Sequence, residues 1–306
     1  MRRWARSSSR AGAAAGAARR LAGLAALVWL APAGFSQLPL EREPGGWARV
    51  YTATLAPASR LRVVGHGPVT VDGAVSRNLA YTVRVSIAAR SEAEARRILD
   101  AASVRVSSEG DWVVLAAPAG PVMALVQVRA PRLEALDIGT TDGAVTVTGI
   151  DGTAVVNTQA GAISADRVRG SSNLVSGGGD IRVGTVDGTL ECATAVGRIQ
   201  VKLAGRDAVL NTYGGDIEVD EVDGALRADT AGGGIHVHKA GGSVAATSGG
   251  GQILVDQANG PVTARNIAGP VAVGAAGGCA ASPARAASAW PALPDRCASP
   301  LPPAAF

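Results

Sequence analysis

Cysteine is scarce in this 306-residue chain, and its placement rules out more than it offers. Cys192, Cys279 and Cys297 form no Cys-x-x-Cys and no metal-ligand spacing, so neither a dithiol redox motif nor a structural zinc site is expected. Histidine is as rare: His66, His236 and His238 are the full set. No serine or cysteine has a recognisable nucleophile setting, and no catalytic residue and no cofactor is expected. A surplus of basic charge is missing too. Six of the 29 basic residues fall in residues 1–36, where there is no acid; the remaining chain carries 23 basic against 25 acidic residues, a net charge of −2. That balance excludes a nucleic-acid footprint and gives no pull toward an anionic membrane surface. The longest apolar run, Leu21 to Leu30, is too short for a comfortable membrane span.

Residues 1–36 read as a secretory signal. Arg2, Arg3, Arg6, Arg10, Arg19 and Arg20 make a basic start, the Leu21–Leu30 run follows, and Ala31-Pro32-Ala33 is a small-residue cleavage site. No cysteine near that site supports a lipoprotein, and Arg2-Arg3 lacks the residues that should follow a twin-arginine signal. Left uncleaved, the segment would act as an anchor. At the other end, residues 280–306 form an Ala/Pro-rich tail with Trp290 as its single large side chain. Such a tail would cover the open edge of the last structural unit. Cys279 and Cys297 would be free to pair there in an oxidising compartment.

Between these ends the chain repeats. From Thr140 to Pro283 there are eight copies of an eighteen-residue unit, starting at Thr140, Thr158, Ser176, Thr194, Thr212, Thr230, Ser248 and Asn266. Position four is always glycine, from Gly143 to Gly269; position six is always β-branched, from Val145 to Val271; position eight is valine except at Ala165. A fixed period near twenty residues marks a solenoid, whose coils each cover the apolar face of the next. The inward pair at six and eight is echoed at fifteen and seventeen, as in Leu190/Cys192 and Leu226/Ala228, and glycine returns at thirteen in seven copies, Arg206 being the exception. Two short strands per coil, each pointing alternate side chains inward, make two facing sheets. Cys192 is then a small buried hydrophobe, and alanines such as Ala228, Ala246 and Ala264 bring the sheets close. The glycines suit either positive φ or close backbone approach. The Thr/Ser of position one suits a hydroxyl ladder at a corner.

Two other coil designs fail on phase. A hexapeptide helix needs an aliphatic residue every six positions, but six residues beyond the β-branched site come Asp151, Arg169, Asp187 and Gly205. A calcium-binding β-roll places a ligand Asp two residues after a glycine; here that slot holds Ile181, Ile217, Ile235 and Ile253. Calcium-dependent folding is not expected.

Residues 37–135 are a strand-rich entry region with one helix, Ser91–Ala101, opened by the capping box Ser91-Glu92-Ala93-Glu94. Gly67-Pro68-Val69-Thr70-Val71 already has the Gly-x-Val-x-Val spacing of the repeats, so an early coil is interrupted by a strand–helix insert. Leu136 and Ile138 have inward phase, and regular stacking is expected over 136–279. The stretch Leu125-Val-Gln-Val-Arg-Ala-Pro131, the run Leu136 to Gly149, the capped helix and the Thr-x-x-Gly-x-Ile-x-Val repeats together resemble the DUF4097 family of bacterial β-strand-repeat proteins, also called adhesins. The resemblance spans roughly residues 47–278. It implies an exported protein with a parallel β-helix-like fold and supplies no catalytic residues.

The fold class is therefore all-β, a parallel β-solenoid of eighteen-residue coils. Register then places side chains in columns. Position nine gives Lys202, Asp220, His238 and Asp256; position seven gives Arg182, Gln200, Glu218 and His236; position five gives Asp180, Arg198 and Asp216. Alternating signs up a column make a solvated face that avoids like-charge pairs. The same residues Glu218, Asp220, His236, His238 and Asp256 are also the candidates for a transition-metal patch. Without groups to orient the ligands, weak metal binding at most is expected, and no metal site is assigned. No regular Thr lattice supports ice binding. The expected function is an exported, non-enzymatic, adhesin-like or cell-envelope scaffold in the periplasm or at the cell surface. Its partner would be an envelope or extracellular glycan or protein. The alternatives are a glycan- or metal-binding module using the charged face, and a β-helix polysaccharide-active enzyme. Enzymes of that last kind have longer, irregular coils.

Overall fold

The structure is a computed structural model and describes residues 36–73 and 76–283. The signal segment short of Ser36, the pairing of Cys279 with Cys297 and the chain after Pro283 lie outside the described residues. The described residues are mostly β, with one helix of ten residues among them.

Each coil contributes one strand to each of two parallel sheets. In the first sheet, strands such as Ile199–Ala204, Ile217–Val222 and Ile235–Ala240 pair in parallel with partners eighteen residues away, Ile217 lying between Ile199 and Ile235. In the second, Ala208–Thr212, Leu226–Thr230 and Val244–Ser248 do the same. The β-branched residues of position six stack as a buried column, as do those of positions fifteen and seventeen where described and those of position eight up to Val255, Val273 in the last coil being half-buried. Burying Val and Ile on both sheets drives the coils together; hydrophobic burial of this kind contributes about 25 cal/mol per Å² of apolar surface. Leu136 and Ile138 point inward and are buried, and Cys192 is a buried free thiol. The first sheet has a third inward column, Ile150, Val168, Val186, Ala204, Val222, Ala240 and Ala258, at position eleven. It breaks strict alternation, because the two residues before it both face outward or half-outward.

The corner between the sheets is held by the hydroxyls of position one. Every one of these residues, from Thr140 to Asn266, is buried. The Thr212 hydroxyl donates to the Gly197 carbonyl one coil back, at 3.1 Å, and accepts from the Gly215 amide of its own coil, at 3.2 Å. Ser176, Thr194, Thr230 and Ser248 repeat this pair of bonds. Turn groups that would otherwise be buried and unpaired are thereby satisfied.

The glycines of position four are required by close approach. A Cβ on Gly161, Gly179, Gly197, Gly215, Gly233 or Gly251 would lie 1.8–2.2 Å from the carbonyl oxygen of the glycine one coil back. Positive φ plays no part at those six; within the first coil it occurs at Gly143, with φ 104°.

The solenoid begins before the repeats. Arg60–Gly65 pairs in parallel with Ala135–Thr140, and Val69–Asp72 with Val145–Ile150. Thr140 donates its hydroxyl to the Gly67 carbonyl at 2.9 Å, as later coils do to the glycine one coil back. Trp112–Ala116 and Met123–Arg129 pair in parallel on the far side of these two strands. The coil of residues 60–72 is therefore sandwiched between a later segment and the first repeat. Leu79–Ile87 then runs antiparallel to Met123–Arg129, and Gly46–Leu55 antiparallel to Leu79–Ile87. The helix Glu92–Ala101 is capped by Ser91, whose hydroxyl accepts from the Glu94 amide at 3.2 Å, and buries Ala95 and Leu99. Among the described residues no helix is long and apolar enough to cross a membrane.

The uniform eighteen-residue period ends in the last coil. Ile253 pairs with Val271 and Ala258 with Ala276, but Pro261 pairs with Gly278 and Val262 with Cys279. One residue fewer rounds that corner, and the ladder takes up the difference as a bulge.

The calcium-roll comparison is decided by burial. Ile181, Ile217, Ile235 and Ile253 fill the slot where a ligand aspartate would stand, each at most 1% exposed. Asp180, beside it, faces outward, where its carboxylate accepts from Arg182 at 3.0 Å and from the Arg198 amide at 3.0 Å. The β signal in circular dichroism should therefore persist in excess EDTA; unfolding on chelation, reversed by calcium, would refute this reading.

Candidate functional site

The register brings the candidate residues onto one face of the first sheet. On Ile235–Ala240, His236 and His238 are two residues apart and share the outward face, because side chains alternate along a strand. Glu218 lies directly opposite His236 on one neighbouring strand and Leu254 on the other. Asp220 and Asp256 flank His238 in the same way, each eighteen residues from it.

Two of these contacts meet at one atom. His236 Nε2 lies 3.2 Å and His238 Nδ1 2.9 Å from the same oxygen, Asp256 Oδ2. The two rings are 4.0 Å apart between centroids and tilted by 53°. Partial burial works against ionising Asp256, but the hydrogen bonds from His238 and His236 outweigh it and hold its carboxyl below the ordinary value. Side-chain exposures of 35%, 43% and 46% for His236, His238 and Asp256 put the cluster at the surface. Glu218, Asp220 and His238 make a second group, with one potential ligand atom from each within 4.8 Å of the others. His238 thus joins two carboxylate sets. His66 belongs to neither group; it lies exposed in the entry coil.

Several other charged residues of these coils have structural partners. Arg198 pairs with Asp216 at 3.1 Å, Asp216 also accepts from the Gly234 amide at 2.9 Å, and Lys239 pairs with Glu221. Asp180 and Asp216 each tie a backbone amide of the next coil, a role that charge alternation alone did not reveal. Gln200 donates to Glu218 at 3.0 Å.

The described surface has no deep cleft over this face. A shallow depression of about 290 Å³ lies between Arg198, Glu218, His236 and Leu254. A second, of about 540 Å³, lies at the position-one corner around Val175, Ala193, Ala195 and Tyr213, with Tyr213 75% exposed. Sequence reasoning missed Tyr213; its signal is an aromatic in the second slot of a repeat where the other coils, Ile267 apart, carry small or polar residues. Burial, with a smaller contribution from Glu191, pushes the Cys192 thiol far up, which removes it as nucleophile or ligand.

No family model matches the chain, and no curated protein matches it. Solved structures with a similar chain path include a proposed adhesin from Bacteroides fragilis NCTC 9343, at 14% identity over 75% of this chain and 95% of that one, with TM-score 0.38. A proposed lipid-binding protein from Parabacteroides distasonis ATCC 8503 shares 11% identity over 77% and 96% of the two chains, with TM-score 0.41. A proposed adhesin from Parabacteroides merdae ATCC 43184 shares 10% over 78% and 96%, with TM-score 0.31. Likeness at this level assigns no family and transfers no activity. The resemblance to DUF4097 rests on the sequence motifs alone.

Proposed function

We propose that the chain is an exported, non-enzymatic scaffold, adhesin-like or part of the cell envelope, working in the periplasm or at the cell surface. One observation carries the reading. From Ala135 to Ala276 coil follows coil with no inserted loop, so among the described residues the outer faces of both sheets carry no overhanging segment. Substrate sites are concave and enclose their ligands, whereas a flat, extended face suits a large partner that is itself extended. The basic start and the Leu21–Leu30 run support export.

The test is to fractionate cells producing the full chain and to incubate the purified protein with envelope polysaccharides. The expected result is a shortened chain in the periplasmic or surface fraction, retention on envelope material, and no release of reducing ends. Residence in the cytoplasm would overturn the export reading, and new reducing ends would replace the scaffold with an enzyme.

A further inference from the structure

We propose that His236, His238 and Asp256 form a binding site for a borderline divalent transition metal such as zinc, with Glu218 and Asp220 as its outer carboxylates. The argument starts from donor spacing. Tetrahedral zinc holds nitrogen and oxygen ligands at about 2.0–2.1 Å, which sets neighbouring donors roughly 3.3 Å apart. The two imidazole nitrogens already stand 3.2 and 2.9 Å from Asp256 Oδ2. The three donor atoms lie within 4.8 Å of one another, so a cation entering among them needs side-chain adjustment and no movement of the strands.

The ligands are also mounted rigidly. All three project from neighbouring strands of one continuous ladder, Val237 pairing with Val255 directly beneath them. Sites on strands are held more accurately than sites on loops. Donor type then selects the ion. Two neutral imidazoles with one carboxylate suit zinc, nickel or copper, while calcium and magnesium prefer all-oxygen shells.

The sequence alone showed nothing to orient such ligands. The structure brings the Glu218 and Asp220 carboxylates within 4.8 Å of a His238 ring nitrogen, near enough to take up that role once the ring turns to a metal. An imidazole bound to metal through one nitrogen gives its other N–H to a carboxylate or a carbonyl, which fixes the tautomer. The nearby cations do not oppose a divalent ion directly. Arg198 is paired with Asp216 and Lys239 with Glu221; Lys202 lies a strand beyond, next to Asp220. Because all three ligands are a third or more exposed, water completes the shell and affinity should be micromolar, with no part in folding.

Calorimetric titration of zinc into the full chain, produced without a polyhistidine tag, tests this. One micromolar site is expected, with no calcium response. The His236→Ala/His238→Ala double variant and the Asp256→Asn variant should each bind at least about tenfold more weakly, at the scale of losses seen on disturbing metal ligands and their partners. Circular dichroism should show both variants folded, because the side chains are on the surface. A wild type that is silent at millimolar zinc, or a double variant that binds as well as the wild type, would overturn the site. An Asp256→Asn chain with unchanged affinity would overturn the three-ligand assignment.

Discussion

Ile217→Asp should lower stability by several kcal/mol, on the order of 3 or more, because it places a carboxylate in a dry column without a partner. Ile217 is 1% exposed and stacks between Ile199 and Ile235 in the first sheet. No hydrogen-bond donor lies in that column; the residues above and below are isoleucines. The coil is also central. In a stack where each repeat touches only its neighbours, a broken middle coil uncouples what lies on either side, so the melting transition should broaden as well as fall. Glu218→Ala, one residue on, is the control. Glu218 is half-buried on the outer face and accepts one part-buried hydrogen bond from Gln200, and its loss should change stability by about 0.5 kcal/mol or less. Equal melting temperatures for the two variants would refute the inward and outward assignment.

That assignment was legible because the period is uniform. A residue such as Ile217 is one of eight equivalents, and a β-branched side chain at the same phase in every coil has one physical explanation. The Gly67–Val71 segment was legible for the same reason, since it repeats the local spacing. Its place in the stack was not. Val69 pairs with Val145, far along the chain, and with Val126 on the other side; pairing across an insert leaves no periodic trace. The position-eleven column was overlooked because it interrupts the half-period of nine that the other columns obey. The slipped register after Ala258 was hidden because Gly277-Gly278 offers two glycines for one turn, and the sequence does not say which one occupies it. At the candidate site, register alone set Glu218 against His236 and Asp256 against His238. The meeting of both imidazoles on one Asp256 oxygen depends on side-chain rotamers, which spacing does not determine.

The glycines of position four left two explanations open in the sequence, and a pair of neighbouring alanine substitutions separates them. Gly215→Ala should destabilise by about 3 kcal/mol, as expected when a group is forced into a filled space. A Cβ there would lie 2.0 Å from the Gly197 carbonyl oxygen and 2.5 Å from its carbon. Those atoms are backbone, so neither can swing aside as a side-chain tip would. Shifting the coil to make room would stretch two bonds of the corner ladder. Thr230 donates to the Gly215 carbonyl at 3.0 Å, and the Gly215 amide donates to Thr212 at 3.2 Å. Gly214→Ala adds the same methyl next door, where the nearest atoms are 3.8–3.9 Å away and φ is not positive. That variant should be neutral or gain about 0.4–1 kcal/mol, because alanine restricts the unfolded chain more than glycine does. Were glycine kept only for general turn flexibility, both substitutions would shift the denaturant midpoint alike. Matching midpoints would show that backbone approach between coils does not fix the glycine column. A large fall confined to Gly215→Ala would show that each coil's glycine is fixed by the carbonyl of the coil before it.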